Sequence, residues 1–257
     1  MRMKEIIKKI LPNFIINFLR NIILKRNEKK QLKILNKIEL NYKNTSHINY
    51  HNILSKLCEK YGSDKGFVNQ SLDKPYNWTP HSYTSYYHSI FNLNRENIQF
   101  VFECGLGTNN PNIKSNMTKN GSPGASLRVW RDYFFNAKIY GGDIDKDILF
   151  QEDRIKTYFV DQLNSNSIKS MWEKIDTKFF DIIIDDGLHE PKANLNFFYN
   201  SYAKLKKNGV YIIEDVSNEH INNLFNELKN YDLEIVNLSN SYKKIYNNNN
   251  LIIIRNS

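Results

Sequence analysis

The sequence predicts an α/β protein: a doubly wound, mostly parallel sheet with an N-terminal helical extension. Three observations carry this reading. Short apolar runs, Phe180-Asp181-Ile182-Ile183-Ile184 and Val210-Tyr211-Ile212-Ile213 above all, have the composition of strands buried on both faces. Helical stretches alternate with such runs, the βαβ pattern that builds a parallel sheet. Carboxylates follow the runs directly, as in Asp185-Asp186-Gly187-Leu188-His189 and Glu214-Asp215. Buried there they are costly unless they do chemistry, and neighbouring strand ends of such a sheet open into one crevice.

Taken in order, residues 1–50 form a basic amphipathic arm. Ile6, Ile7, Ile10, Leu11, Phe14, Ile15, Phe18, Leu19, Ile22 and Ile23 recur at helical spacing, and Pro12 is placed to start a second helix after a short first one. Residues 1–43 hold twelve Lys/Arg against Glu5, Glu28 and Glu39, so the arm accounts for the chain's whole net charge of +9. The neutral remainder argues against a nucleic-acid enzyme, whose catalytic cleft would itself be basic. The arm's apolar face has two uses: packing on the catalytic domain or a second subunit, or lying on an anionic membrane through residues 1–25. No apolar run reaches the roughly 18 residues of a membrane span, and no secretory cleavage site is expected. Cys58 and Cys104 are the two cysteines, with no metal-ligand spacing, which fits a reducing cytoplasm. Localisation is therefore expected to be cytoplasmic, with peripheral contact at the inner membrane surface as the alternative.

Residues 51–98 read as a helical lid or cap, with helices over Asn52 to Tyr61, closed by Gly62, and over Ser82 to Phe91. Residues 99–257 then form the catalytic domain, and 257 residues suffice for one such domain plus an appendage. Strands are expected at Gln99–Glu103, Lys138–Asp143, Ile155–Asp161, the 180 and 210 runs, Glu234–Leu238 and Leu251–Arg255. Helices at Leu127–Phe135, Ser165–Ile175 and Ala193–Leu205 connect them.

The first strand runs into Glu103-Cys104-Gly105-Leu106-Gly107, whose glycines let the backbone turn sharply and a ligand come close. It is not the dinucleotide fingerprint, because Thr108 to Pro123 intervene before the next helix, which counts against a simple NAD enzyme. Asp143 and Asp145 after the second strand suit ribose hydroxyls, and Asp161-Gln162 after the third can reach an adenine edge. Carboxylates at three successive strand ends favour a nucleoside site over ordinary turns and caps.

In this order the residues resemble the class I S-adenosylmethionine-dependent methyltransferases. More narrowly they resemble the metal-dependent sugar O-methyltransferases of macrolide biosynthesis, of mycinamicin and macrocin type, and their relatives in bacterial surface-glycan clusters. The resemblance covers about residues 57–216. It rests on Lys60-Tyr61-Gly62-Ser63-Asp64-Lys65-Gly66, His81-Ser82-Tyr83-Thr84, the glycine loop, Ser126-Leu127-Arg128-Val129-Trp130, Tyr140-Gly141-Gly142-Asp143-Ile144-Asp145, Asp161-Gln162, Asp185-Asp186-Gly187-Leu188-His189 and Ile213-Glu214-Asp215. The resemblance implies Mg²⁺ on Asp186, Glu214 and Asp215, with His189 as the catalytic base. It also implies contacts to S-adenosyl-L-methionine from Glu103, Gly105, Gly107, Ser126, Asp143, Asp161 and Asp185. His81 and Tyr83 are expected to line the acceptor pocket. The acceptor it implies is a sugar hydroxyl, on a nucleotide-linked or lipid-linked intermediate of capsule or other surface-polysaccharide synthesis. A homo-oligomer is expected.

The chemistry is coherent by itself. A sugar hydroxyl is a poor nucleophile until its proton leaves and the developing alkoxide is stabilised. A divalent cation does the second and an imidazole near neutral pH the first. Three carboxylates without thiolates or several histidines favour Mg²⁺ over Zn²⁺, and a vicinal diol is the natural acceptor. An RNA methyltransferase, a methyltransferase for another small diol, a hydroxylase-like relative and a non-catalytic donor-binding subunit are the rival readings.

Overall fold

A computed structural model of the chain describes residues 42–44, 51–66, 76–238 and 250–257. The amphipathic arm at 1–41, with the expected membrane-contacting residues 1–25, lies outside the described residues. Among those described, no helix is long and apolar enough to cross a membrane.

Strands β1 (Tyr42–Asn44), β2 (Phe100–Cys104), β3 (Lys138–Asp143), β4 (Gln151–Glu152), β5 (Ile155–Phe159), β6 (Phe180–Asp185), β7 (Leu205–Val216), β8 (Asp232–Asn237) and β9 (Asn250–Arg255) form one sheet in the order β1-β8-β9-β7-β6-β2-β3-β5-β4. Neighbours from β7 to β5 are parallel, and β9 is wedged antiparallel between β7 and β8. The chain begins the parallel sheet at its centre in β2, runs outward through β3 to β5, then returns to β6 and β7 on the other side. The switch point therefore falls between β2 and β6, where an open parallel sheet places its ligand crevice.

Helices α1 (Ile53–Tyr61), α2 (Tyr83–Phe91), α3 (Ala125–Tyr133), α4 (Ser165–Lys174), α5 (Pro191–Ser201) and α6 (Ile221–Leu228) complete the described elements. Local chemistry sets their ends. The Asn52 side chain caps α1 by accepting from the Ser55 amide at 2.9 Å, and Gly62 closes it in the left-handed region at φ 75°. Alternate residues of β2 bury into different layers. Val101 joins Leu54 of α1, Tyr87 of α2, Trp130 of α3 and Phe134 just past it, whereas Phe102 packs on Trp172, Phe180 and Phe197 at ring-centroid distances of 4.6, 5.9 and 6.0 Å. The segment expected as a lid thus contributes α1 and α2 to the main core. Tyr42–Asn44, expected within the arm, adds an edge strand beside β8.

The strands fall where the apolar runs placed them, with one consequential difference. Glu214 and Asp215 are not in a loop beyond the strand but inside β7, at a register shift between Ile213 and Val216 against β9.

The Phe102 cluster gives a direct test of the core. Phe102→Ala should lower unfolding stability by about 3–5 kcal/mol, the usual cost of removing a buried aromatic ring, read from denaturant unfolding.

Candidate active site

Three strand ends converge at the switch point, and each is shaped by a different device. At the end of β2, Gly105 adopts φ 95°, and a Cβ there would stand 2.0 Å from the Asp186 carbonyl oxygen. The Asp186 amide in turn donates to the Cys104 carbonyl at 2.8 Å. This close approach of the Asp186 peptide locks β2 to β6, and Gly105, expected to admit a ligand, also lines the cavity.

At the end of β6, Asp185 is fully buried and accepts from Gln162 Nε2 at 2.5 Å and Asn194 Nδ2 at 3.0 Å. Gln162 Oε1 accepts from the Leu188 amide at 2.8 Å. These bonds brace the turn from Asp186 to His189, and Gln162, expected to reach an adenine edge, also lines the cavity. His189 itself sits at φ 57°, an uncommon conformation for a residue with a side chain, which brings its ring back over Asp186.

At the end of β7, consecutive strand residues would ordinarily point to opposite faces. The bulge, together with φ 54° at Asp215, turns both Glu214 and Asp215 into the same cavity. Helix α2 holds them there. Tyr83 and Tyr87, four residues apart on one helix face, donate to Asp215 Oδ1 at 2.5 Å and Glu214 Oε1 at 2.6 Å.

The resulting cavity of about 710 Å³ is lined by Gly105, Gly107, Ser126, Asp143, Asp161, Asp186, His189, Glu214, Asp215 and His81 among the expected site residues. Glu103, Asp185 and Tyr83 are fully buried behind its wall instead. Glu103 accepts from Trp130 Nε1 at 2.8 Å, and Tyr83 lies under His81 in a ring stack at 4.6 Å, so these three support the residues that a ligand would meet. Asp143 accepts the Leu106 amide at 2.7 Å and the Asp145 amide at 2.8 Å, which ties the glycine loop to the end of β3. The insertion at 108–123 forms one wall: Asn112 to Thr118 face the cavity, and Ser115 Oγ donates to the Gly187 carbonyl at 2.8 Å.

At one end of the cavity, His189 Nε2 is 3.1 Å from Asp186 Oδ1 and Nδ1 is 3.7 Å from Asp215 Oδ2. His81 Nε2 lies 3.3 Å from Asp215 Oδ1. Asp186, His189 and Asp215 each offer one ligand atom within 4.8 Å of the others, room enough for a cation among them. Into the same cluster reaches Lys65, which the sequence reading assigned no role. It is 3% exposed, and its ammonium lies 2.9 Å from Glu103, 2.6 Å from Asp186 and 2.5 Å from Glu214.

The electrostatics follow from this crowding. Burial pushes Glu214 well above the usual carboxyl range, opposed by Lys65 and reinforced by Asp186 and Glu103. Burial would likewise raise Asp186, but Lys65 and His189 outweigh it and hold that carboxyl low. Burial would depress His189, yet Asp215 and Asp186 outweigh it and lift the imidazole to about 9. Four carboxylates, Glu103, Asp186, Glu214 and Asp215, face one ammonium and two imidazoles, those of His189 and His81. The cluster is an excess of negative charge that retains protons. Cys104 is buried and its thiol is pushed well up by burial and by Asp185, which leaves it inert as a nucleophile.

The sheet order, the switch-point cavity and the acidic strand ends match a known architecture. The chain aligns with the MycE methyltransferase from the mycinamycin biosynthetic pathway, solved in complex with Mg and SAH, at a TM-score of 0.55 and 22% identity over 82% of this chain and 55% of that one. This is the class I S-adenosylmethionine-dependent methyltransferase fold. In sequence the chain is 29% identical over 167 residues to the 8-demethyl-8-α-L-rhamnosyl tetracenomycin-C 2′-O-methyltransferase of Streptomyces olivaceus, covering 65% of this chain and 38% of that enzyme. It is 30% identical over 136 residues to the demethylmacrocin O-methyltransferase of Streptomyces fradiae, covering 53% and 32%. Against the mycinamicin VI 2″-O-methyltransferase of Micromonospora griseorubida it is 29% identical over 164 residues, covering 63% and 36%. The chain thus spans about a third of the length of these relatives. No family model matches it. By their names these relatives are O-methyltransferases.

Because the Gly105 seam joins two strand ends, Gly105→Ala should misplace the Asp186–His189 turn. A lowered melting temperature and displaced His189 imidazole resonances are the expected outcome, read by thermal melts and NMR against wild type.

Proposed function

We propose that this chain is an S-adenosylmethionine-dependent, divalent-cation-dependent O-methyltransferase acting on a sugar hydroxyl of a glycoside. The observation that carries the reading is the meeting of Asp186, His189 and Asp215 at one end of a cavity whose other end has the makings of a nucleoside site. There Asp143 and Asp161 stand at successive strand ends, and the half-exposed Ile144 and Leu163 add apolar surface to the lining.

The donor set fits a hard cation. Asp186 and Asp215 present carboxylate oxygens toward each other across His189, and each Glu214 oxygen accepts one hydrogen bond while keeping a lone pair. The excess of carboxylate over ammonium charge around them is what a divalent ion would neutralise. When bound, that ion lowers the acceptor hydroxyl's pKa, and the donor supplies a methyl on an electron-poor sulfonium.

The remaining work falls to the chain. Gln162 and Asp185 fix the Asp186–His189 turn, and the bulge fixes Glu214 and Asp215, so the reacting hydroxyl is held in one place rather than sampled. His189 takes its proton. With its two carboxylate neighbours engaged elsewhere, the imidazole's affinity for a proton falls from the level of a pKa of about 9 toward neutrality, where it can act as base. His81, stacked on Tyr83 and close to Asp215, borders the acceptor end. The wall formed by residues 112–118 limits water access from the side of the glycine loop.

For the acceptor, the relatives' names describe rhamnosyl tetracenomycin, mycinamicin and macrocin compounds. The nucleotide-linked capsule sugar expected from sequence has no counterpart among them, and the glycoside is the better-supported carrier.

The decisive experiment incubates the protein with labelled S-adenosylmethionine, Mg²⁺ and a panel of rhamnosides and other deoxysugar glycosides. A methylated glycoside by mass spectrometry is the expected result, and no product across the panel would overturn the acceptor class. His189→Ala should lower turnover by roughly 10²–10⁴-fold with the melting temperature kept, and EDTA should abolish it. Full activity in chelator would remove the cation. Protons on His189 and Glu214 compete with the cation for the same charge. Mg²⁺ affinity should therefore rise as pH rises from about 6.5 to 9, with proton release on binding, measured by calorimetry in buffers of different ionisation heat.

A further inference from the structure

Lys65 is the cationic side chain that reaches into this carboxylate cluster from outside the strand ends. Its backbone is fixed before its side chain makes any contact. The Thr84 amide donates to the Lys65 carbonyl at 3.2 Å, and the His81 amide donates to the Asp64 carbonyl at 2.7 Å. At Gly66 a Cβ would collide with the Thr84 side chain at 2.0 Å. The loop is thereby sewn to the start of α2, and the ammonium is delivered to a point between β2, β6 and β7.

An ion pair that merely stabilised the core would match one ammonium with one carboxylate. Here a single buried ammonium contacts three, one from each of the three converging strand ends, and two of them, Asp186 and Glu214, belong to the set that would hold the divalent cation. Carboxylates this close would otherwise repel one another in a poorly solvated setting. Burial would lower the ammonium's pKa, but the three carboxylates outweigh it and keep it well above the ordinary lysine value.

We propose that Lys65 is a built-in counter-cation: a positioning residue that holds Glu103, Asp186 and Glu214 in place before any divalent ion arrives and competes with that ion for Asp186 and Glu214. The competition half rests on the cation reading above; the positioning half does not. The role sets metal affinity deliberately short of its maximum, so that the site is preformed in the metal-free protein and the divalent ion is exchangeable.

The test compares wild type, Lys65→Met, Glu214→Gln and the double variant as full chains, by thermal melts in EDTA and by Mn²⁺ titration followed by electron paramagnetic resonance. Lys65→Met in EDTA should melt roughly 10 °C below wild type, the scale expected for stranding buried charge in a protein of this size. Adding Glu214→Gln should restore part of that loss, because it removes one of the stranded carboxylates. Lys65→Met should bind Mn²⁺ roughly tenfold or more tightly than wild type, a gain that a merely structural lysine would not produce. If Lys65→Met is too unstable to purify, the double variant against Glu214→Gln alone carries the same Mn²⁺ comparison. Equal melting in EDTA together with unchanged Mn²⁺ affinity would overturn the proposal while leaving the cation site standing. A wild type and variants that all bind no Mn²⁺, with the melting pattern as described, would overturn the cation reading and the competition but uphold the positioning role.

Discussion

The structure depends on bringing carboxylates from three parallel strand ends to one point and keeping them there. Each of Glu103, Asp186 and Glu214 would be expelled by the others were the cluster not threaded by Lys65 at 2.5–2.9 Å and braced by hydroxyls of α2. This explains why α1 and α2 are part of the core and not a cover over it. The loop after α1 brings the ammonium, and α2 brings Tyr83 and Tyr87, so the two helices ahead of the sheet are as much a part of the site as the strands. A helical cap free to open would take the counter-charge with it.

Backbone irregularity does the aiming. A regular β7 would send Glu214 and Asp215 to opposite faces, and a regular turn after β6 would point His189 into solvent or into α5. The bulge against β9 and the left-handed conformations at His189 and Asp215 rotate all three toward one cavity. Asn250 stabilises the distorted stretch by donating to the Val216 carbonyl at 2.7 Å. The late antiparallel strand β9 thus has a function beyond closing the sheet, since its pairing defines where the register breaks.

These two points mark the border of what the sequence discloses. Apolar runs with a period set by burial on both faces announce β2, β3, β6 and β7, and carboxylates directly after them announce the crevice, because both signals are local. Asp186, His189 and Asp215 could be placed together from the order of strands in a doubly wound sheet. The bulge could not, since it depends on the pairing of β7 with a strand far along the chain. Lys65 left no pattern beyond its place in a short glycine-bounded segment, although the number of buried carboxylates did require a cation somewhere. Asp185, expected as a ligand contact, lies buried behind the cavity wall and bonds Gln162 and Asn194, while Gly105 and Gln162 line the cavity and also tie neighbouring strand ends together. Residue type identifies a capacity for hydrogen bonding, and only the three-dimensional arrangement decides which partner takes it.

Two basic side chains, Lys65 and His189, meet at Asp186, and the fold gives them different work. Lys65 is almost fully enclosed by three carboxylates, so neither solvent nor a substrate can relieve it of its proton, and it cannot serve as a base near neutral pH. His189 is 29% exposed to the cavity and is raised to about 9 by Asp186 and Asp215, two carboxylates that a cation at the same place would neutralise. Its basicity is therefore adjustable by what occupies the site, while that of Lys65 is not. In the proposed reaction, a base whose strength falls into the useful range only when the acceptor end is loaded would leave the empty site protonated. The separation between a fixed charge and a tunable one thus follows from a single geometric fact: Lys65 shares Asp186 with His189, whereas Asp215 Oδ2 faces His189 and Asp215 Oδ1 is taken by Tyr83 and His81.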